Sequence, residues 1–542
     1  MFYTIMGKVS EMSDKRFLVL VCCISFLMFA LFSGKHFSLD SPVSIHVARQ
    51  LSIDPIDPPL GEFGKYLINW NKTAMPQRSV FYSTPHPPLV QFYISPFIAI
   101  FGENEILLNW LMFPFYLLSV LFFFGCLRVL KVPFRRWITL LFSISPVAVI
   151  NSHDIMVDIP LGCFTLGMFF FLFRDKNRTD ILAAGVMAGL GLLTKITAGT
   201  MVLSAVAFYL TQKRWKSLTL YLIPVMILYG SWCFHNYLVY GTVQVLSNGH
   251  MEYLLGDIRY RFERMISYAG GTLVFPAVAV LLSSASRYFR KWFLLMLSGT
   301  ILWSVLLMIH LDYSISSALF YALCSASGLI IIFAALVRFT EFRSPENKAL
   351  IVHTVLQLIG GLFLTLYAVR YLTPLLLPLF LGIAYLLKVA RIPNPRRFFL
   401  PFSLIISLTV TVFLSVGDVI HASIPHELSR DLSRQYDTDK VRYAGRLGYL
   451  YYLDRAGLQY CQPDQKPSAG EYVLHACSNP DDTYLLKEKG YTLTAVDTFT
   501  YRLFFLSPVG GKAGFYGNAR LPYSLLFDEN ESVFHLFKVE VD

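Results

Sequence analysis

Charged residues are scarce in this sequence, at 15% of 542 positions, where a soluble protein carries about a quarter. With 55% hydrophobic and 15% aromatic residues, that scarcity excludes an ordinary soluble globule, which would lack a polar coat for its apolar surface. No Gly-rich loop of the Walker or dinucleotide type is present, which argues against an ATP-driven role. Nothing has the spacing of a tetrahedral zinc site, and no internal repeat of the kind common in transporters is visible. Cysteine is used sparingly. Six of the eight, Cys22, Cys23, Cys126, Cys163, Cys233 and Cys324, lie in apolar runs, where a small buried hydrophobe is the default reading. Cys461 and Cys477 lie in a polar tail, where a disulfide between them would suit an oxidising compartment.

What is present is a series of long apolar runs. Phe17–Gly34 and Leu107–Leu130 approach the ~20 residues a helix needs to cross hydrocarbon. Further spans are expected near 134–150, 156–173, 181–194, 196–211, 217–237, 265–284, 291–309, 314–337, 349–368, 371–388 and 398–417, about thirteen in all. The net charge of +11 does not form a nucleic-acid patch. Its Lys and Arg residues recur in alternate loops, at Lys131/Arg135/Arg136, Arg174/Lys176/Arg178, Lys213/Arg214/Lys216, Arg287/Arg290/Lys291, Arg338/Arg343/Lys348 and Lys388/Arg391/Arg396/Arg397. This positive-inside pattern assigns those loops and the N-terminus to the cytoplasm and the tail to the outside. Ser33-Gly34-Lys35 is a poor cleavage site, so the first run reads as an uncleaved anchor.

The expected fold is therefore a polytopic α-helical membrane protein over residues 1–420 with a small soluble α/β domain over 421–542. A long polar loop at 35–104 lies outside and contains short apolar stretches, Val43–Leu51, Phe63–Trp70 and Leu89–Phe101, that suit interfacial helices. In the tail, Val441–Ala444, Tyr472–His475, Thr492–Val496 and Val533–Val541 read as strands, with helices at Arg446–Ala456 and Asp481–Lys489.

Charge beside lipid is expensive and is by default a functional hypothesis. Asp40 stands just beyond the first span, His86 lies in Thr84-Pro85-His86-Pro87-Pro88-Leu89, and Asp154 and Asp158 lie in Ser152-His153-Asp154-Ile155-Met156-Val157-Asp158. Lys195 and Arg370 sit at the same expected membrane level. Each also suits an ordinary role. Asp154 and Asp158, four apart, suit one face of a helix start with Ser152 as cap. Asp40 suits a solvated loop, His86 a Pro-rich turn, and the two cations suit snorkelling anchors.

Taken in order, an aspartate after the first span, His-Pro-Pro-Leu, His-x-x-Met-x-Asp-x-Pro-Leu, Gly189-Leu190-Gly191-Leu192-Leu193-Thr194-Lys195 and Arg370-Tyr371-Leu372-Thr373-Pro374 resemble the glycosyltransferase family 39 type. That type is related to the protein mannosyltransferases and lipid A aminoarabinose transferases of the GT-C fold. The resemblance covers nearly all of the membrane part, and Val441–Gly457 and Gly514-Phe515-Tyr516 with Leu521-Pro522 are similar to tails of bacterial members. It implies inverting transfer of a sugar from a polyprenyl-phosphate donor to a lipid, glycan or protein acceptor outside a bacterial inner membrane. By the resemblance Asp40 is the general base and Asp158 the second aspartate, orienting the acceptor or holding a metal. Asp154 is an extra acid whose proximity disfavours ionisation of both. His86 stands where some relatives carry a lysine, as a phosphate or sugar contact with pH-dependent charge. Arg370 is a second phosphate contact, ahead of Lys195 and Arg49. Whether a divalent cation takes part is left open, as is a rival reading as a lipid or solute transporter or flippase. Asp437-Thr438-Asp439 matches a nucleotide-sugar Asp-x-Asp pattern but sits in a polar linker where so short a string arises by chance.

Overall fold

The computed structural model describes residues 9, 12–61, 64, 81, 86–244, 258–283, 287–311, 314–341, 344–364, 367–389, 399–444, 447–460, 467–476, 492–509, 513–517, 519–525 and 531–540. The apolar runs are helices, as they must be where no water is at hand to satisfy backbone N–H and C=O groups. In chain order they are α1 Asp14–Ala30, α2 Ser41–Ile53, α3 Leu89–Phe101, α4 Glu105–Trp110, α5 Phe113–Val129, α6 Arg135–Ser143, α7 Pro146–Ser152, α8 Asp158–Arg174, α9 Arg178–Thr194, α10 Gly199–Thr211 and α11 Trp215–Tyr240. Then follow α12 Ile258–Ser283, α13 Arg287–Leu311, α14 Ile315–Glu341, α15 Pro345–Phe363, α16 Leu376–Val389, α17 Phe399–Gln435 and α18 Leu447–Arg455. Two expected spans are broken by proline, which cannot donate a backbone hydrogen bond. The run at 134–150 divides into α6 and α7 before Pro146, and Val369–Leu375, holding Pro374, is a 3-10 turn before α16.

Among the described residues five stretches are long and apolar enough to cross a membrane, namely Glu105–Val129, Trp215–Tyr240, Ile315–Phe339, Val369–Val389 and Pro401–Gln435. The protein is thus a multi-pass membrane protein with a small C-terminal sheet. Other expected spans, such as α1 and α8, are helices of 17 residues. The stretches expected at 43–51 and 89–101 are helices α2 and α3, which pack on each other. Almost all of the stretch at 63–70, the helix at 481–489 and the pair Cys461 and Cys477 lie outside the described residues.

Helices α12 and α14 meet backbone to backbone. A Cβ on Gly270 would lie 1.7 Å from the Cys324 carbonyl oxygen, and one on Gly328 would lie 1.9 Å from that of Ile266. Helix contacts in lipid have no hydrophobic drive of their own and depend on such close approach.

In the tail the strands are β1 Val441–Ala444, β2 Gln459–Tyr460, β3 Tyr472–Ala476, β4 Thr492–Arg502, β5 Leu506–Ser507, β6 Ser524–Leu525 and β7 Glu531–Glu540. The main sheet has the order β2-β1-β3-β7-β4, with β1 parallel to β2 and β3, and β7 antiparallel to β3 and β4. Helix α18 makes the crossover that the parallel β1–β2 pair requires. The tail is stitched to the helices. Helix α17 runs unbroken through residue 420, and the apolar core of the helices includes the tail's Tyr451, Tyr452, Leu506, Phe515, Tyr516 and Tyr523.

Part of this joint is polar. His36 lies 2.8 Å from Glu105, stacks on His426 at 4.9 Å, and meets Tyr452 edge-on, while Tyr452 donates to Glu105 at 2.9 Å. The hydrogen bond to Glu105 raises the His36 pKa above its usual range; burial opposes this, and the Glu105 charge adds to it. A raised pKa means stabilisation that is complete below the unfolded value, about 6.5, and lost as pH rises through the folded one.

Two outcomes are expected in thermal unfolding of detergent-solubilised protein. Gly270→Val should lower the melting temperature by several degrees, as overpacking by about 1–3 kcal/mol does, whereas Gly299→Ala, with nothing within 4 Å of a new Cβ, should leave it unchanged. The gap between wild type and His36→Gln should be wide at acidic pH and shrink as pH rises through the raised His36 value; a gap constant with pH would refute the pairing.

Candidate active site

Asp40 occupies the N-cap position of α2 but makes no side-chain cap bond. Its carboxylate instead accepts from Arg370 Nη2 at 2.7 Å. Arg370 belongs to the 3-10 turn, which is tied to α7 by Asn151 donating to Thr373 Oγ1 at 3.1 Å and to itself by Thr373 donating to the Arg370 carbonyl at 2.6 Å. Arg370 Nε also lies 3.7 Å from Asp158, which opens α8 and is paired with Lys195 at 3.0 Å. Lys195, between α9 and the following 3-10 turn, stands 3.6 Å over the Tyr371 ring. Four residues from four separate parts of the chain thus form one alternating row, Asp40, Arg370, Asp158, Lys195. Only one end opens outward: the Asp40 side chain is 42% exposed, Arg370 6% and Asp158 3%.

His86 lies near enough for its charge to be felt at Asp158, and its carbonyl accepts from Gln244 at 3.3 Å. Arg49 stands apart, on α2, where it pairs with Glu103; Glu103 also accepts from Tyr451 at 2.9 Å and Arg455 at 2.8 Å. Its guanidinium is committed to the tail joint. Asp154 and Asp158 do not share a helix. α7 ends at Ser152, whose hydroxyl donates to the Val149 carbonyl at 2.6 Å rather than capping a helix, and Asp154 falls in the turn before α8. α7 spans only Pro146–Ser152 and α8 begins only at Asp158, so the motif bends where an uninterrupted helical reading placed one face. His153 is kept neutral in that turn by burial, which pushes its pKa down to about 4 despite a bond to the Phe29 carbonyl.

Asp154 joins a second constellation that sequence reasoning missed. Lys35 Nζ bonds Asp154 at 2.5 Å and Asp418 of α17 at 2.7 Å, and the Tyr516 hydroxyl donates to Asp154 at 2.5 Å. Ser38 adds a bond to Asp154 at 3.3 Å. Burial disfavours the Lys35 ammonium, but the charges of Asp154 and Asp418 outweigh it and raise the Lys35 pKa above its usual value. The available signal was a lone Lys closing one apolar run and a lone Asp closing another. Among the described residues no group of three His, Cys, Asp or Glu stands close enough to hold a metal ion.

Chemically, the first row offers two cations able to stabilise an anion next to a carboxylate open to the surface, and the second locks that arrangement from behind. Residues 85–235 match the family model described as dolichyl-phosphate-mannose-protein mannosyltransferase. This segment is similar to the protein mannosyltransferase type. The matched segment holds the His-Pro-Pro turn, Asp158 and Lys195, while Asp40 and Arg370 come from outside it. No curated protein sequence matches the chain.

Among solved structures, the chain is similar to ArnT from Cupriavidus metallidurans bound to undecaprenyl phosphate, at 12% identity and a TM-score of 0.43, covering 96% of this chain and 98% of that one. It is also similar to the arabinofuranosyltransferase AftD from Mycobacteria, at 12% identity and a TM-score of 0.43 over 98% of this chain and 42% of that one. A third is the oligosaccharyltransferase AglB from Archaeoglobus fulgidus, at 12% and 0.37 over 82% and 56%. Scores at this level describe a loose likeness and carry no residue-level argument.

Removal of Lys35 tests the buried cluster. Lys35→Met would strand two buried carboxylates, and breaking a buried pair costs about 3–5 kcal/mol; detergent-solubilised variant should melt well below wild type, and an unchanged melt would show that the cluster is not charged as described.

Proposed function

We propose that the protein moves a sugar from a polyprenyl-phosphate donor to an acceptor at the outer face of the membrane, in a single inverting displacement. The observation that supports this best is the position of Arg370 between Asp40 and Asp158. In the resting row, the Asp40 carboxylate is held by Arg370. A donor phosphate entering beside Arg370, Lys195 and His86 competes for those cations, so donor binding loosens Asp40 from its partner and frees its carboxylate for an acceptor hydroxyl at the moment the sugar arrives. Asp40, the exposed end of the row, then takes the proton of an acceptor hydroxyl. The oxygen attacks C1 of the sugar from the face opposite the phosphate, the C1–O bond to phosphate breaks, and the lipid phosphate leaves with its charge held by the same cations. Asp158, fixed by Lys195, orients the reacting groups.

The donor class is supported by the family description of the 85–235 match. The basic alternate loops favour a cytoplasmic N-terminus and an outward tail in a bacterial inner membrane, with acceptor of lipid, glycan or protein class. No observation favours a transporter: the sequence shows no internal repeat, whereas transporters commonly build their sites between repeated halves.

The test is Asp40→Asn in purified protein supplied with polyprenyl-phosphate mannose or aminoarabinose and cell-envelope acceptors. Loss of the base should slow transfer by about 10²–10⁴-fold while the melting curve stays close to wild type; wild-type rates in this variant would remove Asp40 from the mechanism.

A further inference from the structure

The tail does more than cover the helices. Its segment 513–517 passes between α12 and the 3-10 turn that carries Arg370. The Val369 N–H donates to the Gly514 carbonyl at 2.9 Å and the Arg370 N–H to the Phe515 carbonyl at 3.4 Å, so the strap is hydrogen-bonded to the backbone of the central cation. The strap has no room to shift. The Gly514 N–H donates to the Leu521 carbonyl at 2.7 Å, a Cβ on Gly514 would fall 2.1 Å from Tyr268 Oη, and one on Gly271 of α12 would fall 2.3 Å from Pro522. At its end Tyr516 places its ring 5.8 Å from the Arg370 guanidinium carbon and its hydroxyl among Asp154, Asp418 and Lys35. A phenylalanine would fill the same space against the apolar core. A phenol donating to a buried carboxylate fixes one geometry, because any displacement leaves that carboxylate short of a donor.

We propose that the strap 513–516 is a working part of the transfer site, in which the tail holds the Arg370 backbone and Tyr516 is a positioning residue acting through it. The role given to Arg370 rests on the donor reading above; the attachment of the strap does not. Truncated or exchanged tails would therefore change how the membrane part handles a lipid phosphate even when every residue of the charged row is intact.

The experiment is amide hydrogen exchange on the full-length protein, read at residues 369–370, with undecaprenyl phosphate binding measured in parallel. In wild type these two amides should be strongly protected; exchange at the rate of an open loop would overturn the proposal before any variant is made. Tyr516→Phe should speed exchange there by about tenfold or more, leave exchange in β3 and β7 unchanged, and weaken undecaprenyl phosphate binding by a similar factor. In an Arg370→Lys background the same change should cost little further binding, since both act through one element. Gly514→Ala, which crowds the strap against Tyr268 and leaves every residue of the ion cluster unsubstituted, should reproduce the effect. Unchanged exchange at 369–370 in both variants, or losses that simply multiply in the double variant, would overturn it. Faster exchange in variants of a protein that binds no undecaprenyl phosphate even as wild type would uphold the strap and sink the donor reading instead.

Discussion

A guanidinium buried in a lipid-facing bundle needs anions within reach, and Arg370 finds Asp40 at 2.7 Å and Asp158 at 3.7 Å, contributed by the loop after the first helix and by the start of α8. The desolvation cost of such a charge is repaid only by good geometry on every side, so the surrounding elements are constrained to deliver it. Pro374 shortens the helix into a 3-10 turn that turns residue 370 inward, Asn151 and Thr373 fix that turn, and Lys195 completes the neutralisation of Asp158. Remove the bridge and two acids from remote parts of the chain lose their reason to be adjacent.

Behind this row the second cluster balances Lys35 against Asp154 and Asp418. Its members come from the end of the first apolar run, the α7–α8 turn, the long α17 and the tail. Because α17 continues from the helices towards the sheet, its acid at 418 sits at the point where the tail and the helices must agree on one position. The cluster thereby joins the two, and Tyr516 joins the cluster to the row.

Much of the helical layout was legible because its cause is local. Apolar runs of membrane length must satisfy their backbones internally, and proline marks where they break. Asp40, Asp158, Lys195 and Arg370 were legible for a related reason: a charge at the end of an apolar run is costly enough to need an explanation. That Asp40 faces Arg370 was not legible, since 330 positions separate them and no periodicity carries across that distance. Lys35, Asp418 and Tyr516 escaped for the same reason, their contacts spanning 119, 383 and 481 positions. Arg49 lies apart from the row for a reason the sequence also did not show. α2 is helical, and nine residues beyond Asp40 the helix has carried it to Glu103, which also meets the tail helix α18.

The two clusters differ in the property that separates a support from a site. Lys35 and Asp154 are each 1% exposed and meet donors or acceptors from four elements, a closed network in which no partner can be exchanged without leaving a buried charge. In the row, Asp40 keeps 42% of its side chain exposed, so one of its partners can be replaced from outside at small cost. On the proposed mechanism, a phosphate would compete for Arg370 because Asp40 could fall back on water or on an acceptor hydroxyl, while Asp158, with no such access, would stay with Lys195. The asymmetry of exposure along four residues would then decide which bond gives way to a charged ligand, with the buried network behind it as support.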